Sequence, residues 1–192
     1  MTTPNFQAEV RALLRDRALD VARELVVDQG WDAVNMSLIA KRVGVSRTAL
    51  YKELGAKHDL ATALIQRDTD RYLEQVSIAI MAADDAVTGL GDGARAALSF
   101  GADNMLLKSI LAGMPGSGDE LLPLLTTDSE PVIARASGAV RQALDARSDG
   151  ARIDDETVEV FVRLTVSHLL APRGTVDLGA AQIRRTVAAL AR

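Results

Sequence analysis

The chain of 192 residues contains no cysteine, which excludes disulfides, thiol nucleophiles and thiol redox sensing. Aromatic residues make up only 3%, so the core must be built from Ala, Leu, Val and Ile, which suit closely packed helices. No apolar run reaches the roughly 18 residues that a membrane-spanning helix needs. No segment sustains the period-two alternation of a half-buried strand. His58 and His168 are the two histidines, far apart and in no metal-ligand spacing. No G-x-S-x-G, P-loop or dinucleotide fingerprint is present. Gly89, Gly91 and Gly93 imitate a phosphate loop, but no strand precedes them. The paired acids Asp84-Asp85 and Asp154-Asp155 read as charges at helix N-termini rather than as acid/base pairs. These absences argue against an enzyme, a cofactor or a metal site, and they predict an all-α protein. With neither a signal peptide nor a membrane span, a cytoplasmic location is expected.

What is present is concentrated between Met36 and Leu60, in the run MSLIAKRVGVSRTALYKELGAKHDL. Ser37 is expected to cap a short helix carrying Leu38, Ile39, Ala40 and Val43 at helical spacing. Gly44 stands where that helix must stop, and Val45 plugs the turn. Ser46 is expected to cap a second helix from about Arg47 to Leu54. Ala49, Leu50 and Leu54 can then face inward, and Thr48, Tyr51 and Lys52 outward. Two short helices joined by such a turn make a helix-turn-helix, whose second helix enters a DNA major groove.

Charge agrees with that reading. From Asn35 to Lys57 five basic residues (Lys41, Arg42, Arg47, Lys52, Lys57) face one acid, Glu53. The segment is +4 on a chain of net charge −4, which leaves −8 elsewhere. A local basic footprint on an acidic protein points to a polyanionic partner, although a solvated helix face alone would read the same way.

The stretch from about Ala18 to Leu64 resembles the N-terminal domain of TetR-family transcriptional regulators. The resemblance rests on a first helix ending at Gly30, the aromatic Trp31, the run IAKRVGVSRTALY, and Lys57 opening the next helix. It departs from the family at Leu54, where an aromatic is usual, and at Glu53, where His or Tyr is common. The resemblance implies a DNA-binding domain over residues 1–56 and a ligand-binding and dimerisation domain over 57–192. It also implies that Tyr51 and Lys57 hold phosphates, with Ser37 and Lys41 assisting. Thr48 and Lys52 are the candidates for base edges, and Arg47 serves either role. Ser46 and Ala49 complete the candidate DNA-binding set.

Beyond this module the pattern predicts helices throughout. The first runs from about Phe6 to Gln29, with Val10, Leu13, Leu14, Leu19, Ala22, Leu25 and Val26 apolar. A long fourth helix runs from about Lys57 to Met81. Further helices are expected near Asp84–Asp103, Asn104–Leu111, Glu130–Ala146, Asp154–Leu170 and Asp177–Ala191, with a short turn of helix near Glu120–Leu124. Gly113–Gly118 is expected to be a loop, and a gate to a pocket is one use for it.

Soft apolar side chains mark a candidate ligand pocket: Met81, Phe100, Met105, Ile110, Met114, Leu122 and Ile133, with Asn104 as a polar group. Such residues serve equally as plain core. By resemblance, a dimer forms through the last two helices. The candidate faces are Val158, Phe161, Val162, Thr165 and Leu169 on one, and Ile183, Val187 and Leu190 on the other. Packing within one chain would use the same residues. The expected protein is a homodimeric repressor, released from a palindromic double-stranded DNA operator by a small lipophilic effector. The alternative is a helical DNA-binding or scaffold protein controlled by a protein partner.

Overall fold

Helix-forming sequence dominates the computed structural model, which describes residues 6–112, 117–148 and 152–191. Ten α-helices follow one another and no strand occurs among the described residues. They are α1 (Phe6–Gln29), α2 (Met36–Val43), α3 (Arg47–Leu54), α4 (Lys57–Ala82), α5 (Ala86–Asp103), α6 (Met105–Leu111), α7 (Ser117–Leu125), α8 (Glu130–Asp145), α9 (Asp155–Leu170) and α10 (Val176–Leu190). The all-α expectation holds, and most bounds fall within two residues of those read from periodicity and caps. A 3-10 turn at Trp31–Ala33 was not anticipated. Within the expected loop 113–118, Ser117 and Gly118 already belong to α7, and the rest lies outside the described residues.

The chain divides into two compact units. The first comprises the chain up to Arg67 together with Met105–Thr127; the second comprises Asp68–Asn104 and Asp128–Arg192. The functional boundary expected at 56/57 therefore does not coincide with the structural grouping. The opening turns of α4, and α6 with α7, group with the helix-turn-helix.

In the first unit α1 packs on α2, α3 and α6, and α6 packs on α7. Its core holds Leu19, Ala22, Leu25, Val26, Trp31, Ile39, Leu50, Leu60 and Leu64. The apolar residues near the start of α1 behave differently from expectation. Val10 and Leu13 are exposed and Leu14 is half-buried, so burial of α1 begins in earnest at Ala18. Arg67 of α4 clasps α1 by donating to the Asp16 carbonyl at 3.0 Å and pairing with Asp20 at 2.9 Å.

The second unit packs α10 on α5 and α9, α5 on α9, and α8 on α9. Its core runs from Val76 and Ile80 through Leu90, Ala94 and Leu98 to Ile133, Val140, Val158, Phe161, Val162, Ile183 and Val187. Here the expected dimer faces are corrected. Val158, Phe161, Val162, Thr165, Ile183 and Val187 are buried within the single chain, and Leu169 is half-buried against the same core. A helix in a small domain turns its most apolar stripe to its own core first. Leu190, of the set, is exposed.

The candidate pocket residues are also redistributed. Met81 and Met105, at 49% and 51% exposure, are surface side chains rather than pocket walls. Phe100 packs edge-on against Tyr72 with ring centroids 4.6 Å apart. Asn104 is buried and donates from Nδ2 to Asp68 Oδ2 at 2.6 Å. Ile133 sits in the core of the second unit, whereas Ile110 is buried and Leu122 half-buried in the first. Met114 lies outside the described residues.

Candidate nucleic-acid interface

The local chemistry of α2 and α3 sets the site. The cap of α2 is corrected from Ser37 to Asn35, whose Oδ1 accepts from the Leu38 amide at 2.8 Å. Met36 is buried and already belongs to the first turn, so the helix begins two residues earlier than a Ser37 cap allows. Ser37 is thereby released to the exposed face of α2, one turn from Lys41.

Gly44 ends α2 in the left-handed region, at φ 82° and ψ 30°. The amides of Gly44 and Val45 both reach back to the Ala40 carbonyl, at 2.9 and 3.0 Å. That closes the turn and satisfies the helix end. Ser46 Oγ then caps α3 by accepting from the Ala49 amide at 3.1 Å. Its hydroxyl therefore has a structural duty within the turn.

On α3, Leu50 and Leu54 are buried and Ala49 is half-buried. Arg47, Thr48, Tyr51 and Lys52 are exposed. Positions 48, 51 and 52 lie one turn apart on a single face. The Arg47 guanidinium stands 5.9 Å from the Tyr51 ring centre, close enough for a cation–π contact that orders both side chains. With Ser37, Lys41 and Arg42 exposed on α2, the two helices present a cationic surface with hydroxyls interspersed. Arg42 was not among the expected contacts, although its charge was visible.

Lys57 is placed differently from the other cations. It is half-buried at the start of α4, and its Nζ donates to the Trp31 carbonyl at 3.0 Å. The same ammonium lies 4.9 Å from the centre of the Trp31 ring. Trp31 is 1% exposed, and its Nε1 donates to Glu120 Oε2 of α7 at 2.8 Å. The turn before α4 is closed by Gly55 at φ 73° and by Asp59, whose Oδ2 accepts from the Ala56 amide at 2.8 Å. A Cβ on Gly55 would collide with the Asp59 carboxylate, so this turn requires glycine on both grounds. Glu120 carries no local signal that could have marked it, because its partner is 89 positions away.

The second unit adds charged caps and ion pairs. Arg135 of α8 engages Asp70 of α4 through two bonds, Nε to Oδ1 at 2.5 Å and Nη2 to Oδ2 at 2.9 Å. That carboxylate raises the Arg135 pKa, first by hydrogen bonding and then by charge. Among the described residues no three acidic or imidazole side chains gather into a metal site. No described helix is long and apolar enough to cross a membrane.

A cap-locked helix pair with a cationic outer face, set in an all-helical chain, defines a DNA-binding transcriptional regulator of the helix-turn-helix class. Residues 18–64 match the family model described as bacterial regulatory proteins, tetR family. Residues 85–190 match the one described as the bacterial tetracyclin repressor, C-terminal domain. The chain belongs to the TetR family of transcriptional regulators, whose members are not enzymes.

Among its relatives is the HTH-type transcriptional regulator AlkX of Mycobacterium tuberculosis, 33% identical over 84% of this chain and 77% of that protein. The transcriptional activator FasR of Mycolicibacterium smegmatis is 37% identical, but over only 37% of this chain and 32% of its own length. Among solved structures, the TetR family repressor AlkX from Dietzia sp. strain DQ12-45-1b, implicated in biodegradation of n-alkanes, superposes with a TM-score of 0.75. It is 24% identical and covers 91% of this chain and 96% of its own. The repressor QsdR of R. erythropolis follows the same fold with a TM-score of 0.63 at 20% identity, covering 93% and 94% of the two chains.

Proposed function

We propose that the chain is a homodimeric repressor that reads a palindromic operator through α3 and leaves it when a small apolar molecule binds. The observation that carries the reading is the exposed row Thr48, Tyr51 and Lys52, flanked by Arg47, on a helix whose start is capped and whose back is buried. Thr48 and Lys52 take base edges in the major groove. Arg47, Tyr51, Ser37 and Lys41 take phosphates, which set register and affinity rather than sequence preference. Lys57 adds a phosphate contact from the start of α4. An ammonium has three donors, so the bond to Trp31 leaves two for an oxyanion.

Two-fold symmetry follows from the usual match between dimeric helix-turn-helix proteins and paired half-sites. Because the inner faces of α9 and α10 are filled by the chain's own core, a second copy would meet their outer rows. On α9 these include Glu156, Val160, Arg163 and Ser167; on α10, Leu178, Gln182, Arg185 and Ala189. The solved AlkX repressor of Dietzia is implicated in n-alkane biodegradation. That connection favours an alkane or an oxidised alkyl chain as the effector class here. Release requires the ligand to bind the DNA-incompetent state more tightly than the competent one.

The test is selection of bound duplexes from a random pool at near-physiological salt, followed by titration of the selected complex. A palindromic motif is expected, with release by medium-chain alkyl compounds. Enrichment of no duplex would remove the DNA-reading assignment. A single unpaired half-site would remove the dimer. A stable complex across the whole alkyl series would remove the effector and favour control by a protein partner.

A further inference from the structure

Two side chains, Lys57 and Glu120, meet at the indole of Trp31, and the three residues come from different parts of the chain. Lys57 opens the helix that follows α3. Trp31 lies in the turn that precedes α2. Glu120 belongs to α7, within residues 85–190 matched by the C-terminal family model, yet it falls in the same compact unit as the helix-turn-helix. The carboxylate takes the N–H edge of the ring at 2.8 Å. The ammonium takes its face, 4.9 Å from the centre, and the backbone carbonyl of the same residue at 3.0 Å.

The two contacts reinforce each other. An indole donating its N–H to an anion gains electron density in the ring, and a richer ring holds a cation over its face more strongly. The ring is 1% exposed and both charged partners are half-buried, so the contacts are less diluted by bulk water than a surface pair would be. The Glu120 carboxylate therefore bears on where the Lys57 ammonium sits, through one rigid ring. The Trp31 carbonyl accepts from the Val34 amide at 3.0 Å, closing its own turn, and from Lys57 as well.

We propose that Glu120 is a positioning residue for DNA binding: through Trp31, α7 sets the place of the Lys57 ammonium and so tunes operator affinity from outside the reading helices. This rests on the assignment of a phosphate to Lys57. It gives α7 a direct handle on the DNA-reading head. Any displacement of α7 that withdraws Glu120 from the indole changes affinity without touching α2 or α3.

The sequence contains a single tryptophan, so its emission reports the surroundings of Trp31 alone. The experiment uses the full chain and the duplex recovered by selection. It compares Glu120→Ala, Glu120→Gln, Lys57→Met and the double variant Glu120→Ala with Lys57→Met. Helical circular dichroism establishes that each is folded. Glu120→Ala is expected to shift Trp31 emission and to weaken binding roughly three- to tenfold, the scale of one lost hydrogen bond. Glu120→Gln keeps an oxygen acceptor but loses the charge, and is expected to fall between the parent and Glu120→Ala. In the Lys57→Met background, Glu120→Ala is expected to have no further effect on affinity.

Shifted emission with unchanged affinity would reduce Glu120 to a packing contact and overturn the proposal. Additive losses in the double variant would overturn it as well, since Glu120 would then act by another route. Unchanged affinity in Lys57→Met alone would sink the phosphate assignment and the relay built on it, while leaving the reading face of α3 intact. A parent chain that selects no duplex would instead strike the DNA-reading assignment itself.

Discussion

Asn104 donates its side-chain amide to the Asp68 carboxylate at 2.6 Å, across 36 positions and with both residues buried. The bond joins the end of α5 to the middle of α4 within one unit. Removing one partner of a buried side-chain hydrogen bond costs about 1–3 kcal/mol. Asn104→Ala is expected to lower unfolding stability by that amount in urea titration. A loss below about 0.5 kcal/mol would mean that Asp68 is supported by its surroundings without this amide.

Two glycines in helices should respond oppositely to alanine. Gly89 of α5 lies so close to α4 that an added Cβ would stand 2.8 Å from the Ile80 carbonyl oxygen, which is backbone and cannot swing away. Gly89→Ala is expected to cost about 1–3 kcal/mol, the range for overpacking. Gly138 of α8 is exposed, with nothing within 4 Å of an added Cβ. Gly138→Ala is expected to stabilise by about 0.5–1 kcal/mol through helix propensity. Thermal midpoints moving in the same direction would refute the claimed approach of α4 and α5.

The reading face predicts a division of labour. Lys41→Ala is expected to weaken all duplexes alike and to lower the salt slope by about one per subunit. Lys52→Ala is expected to change the preference among bases at one position of each half-site, by about 1–3 kcal/mol. If each subunit neutralises about four phosphates, the log–log slope of the parent is near −7. Indistinguishable sequence profiles for the two variants would show that Lys52 does not touch a base.

Acid should loosen the second unit through two caps. Asp85 accepts from the Thr88 amide at 2.9 Å and from its hydroxyl at 2.7 Å, and Asp154 accepts from the Thr157 amide at 2.6 Å. The backbone bond is the largest cause in each case, and both carboxyls are held below their ordinary value of 3.8. With folded-state values depressed, the stabilisation is present above the unfolded value and is lost as pH falls through the folded ones. Asparagine also caps but does not titrate. The double variant Asp85→Asn with Asp154→Asn should match the parent near neutrality and show a shallower stability loss below about pH 4. Parallel acid curves would show that other carboxylates dominate.

The cap of α2 shows where local reading stops. Asn35 and Ser37 are both good N-caps, and sequence pattern alone left Ser37 as the expectation. Burial of Met36 decided for Asn35. The apolar stripes of α9 and α10 were legible in the same way. Periodicity shows which face is apolar, but it does not say what covers that face. Here the chain's own core covers Phe161 and Ile183, which moves any meeting with a second copy to the outer rows.

By itself the sequence determined what depends on neighbours a few positions apart. That includes the helical class, the Gly44 turn, the Ser46 cap and the cationic outer face of α3, because helix periodicity, capping and left-handed glycine are local physics. The tertiary structure alone decided what depends on distant segments meeting. It placed α7 in the unit of the reading helices and brought Glu120 to Trp31 and Asn104 to Asp68. Contacts across 89 and 36 positions leave no periodic trace. Only closure of the whole chain, with the loss of entropy that entails, selects which polar groups become partners.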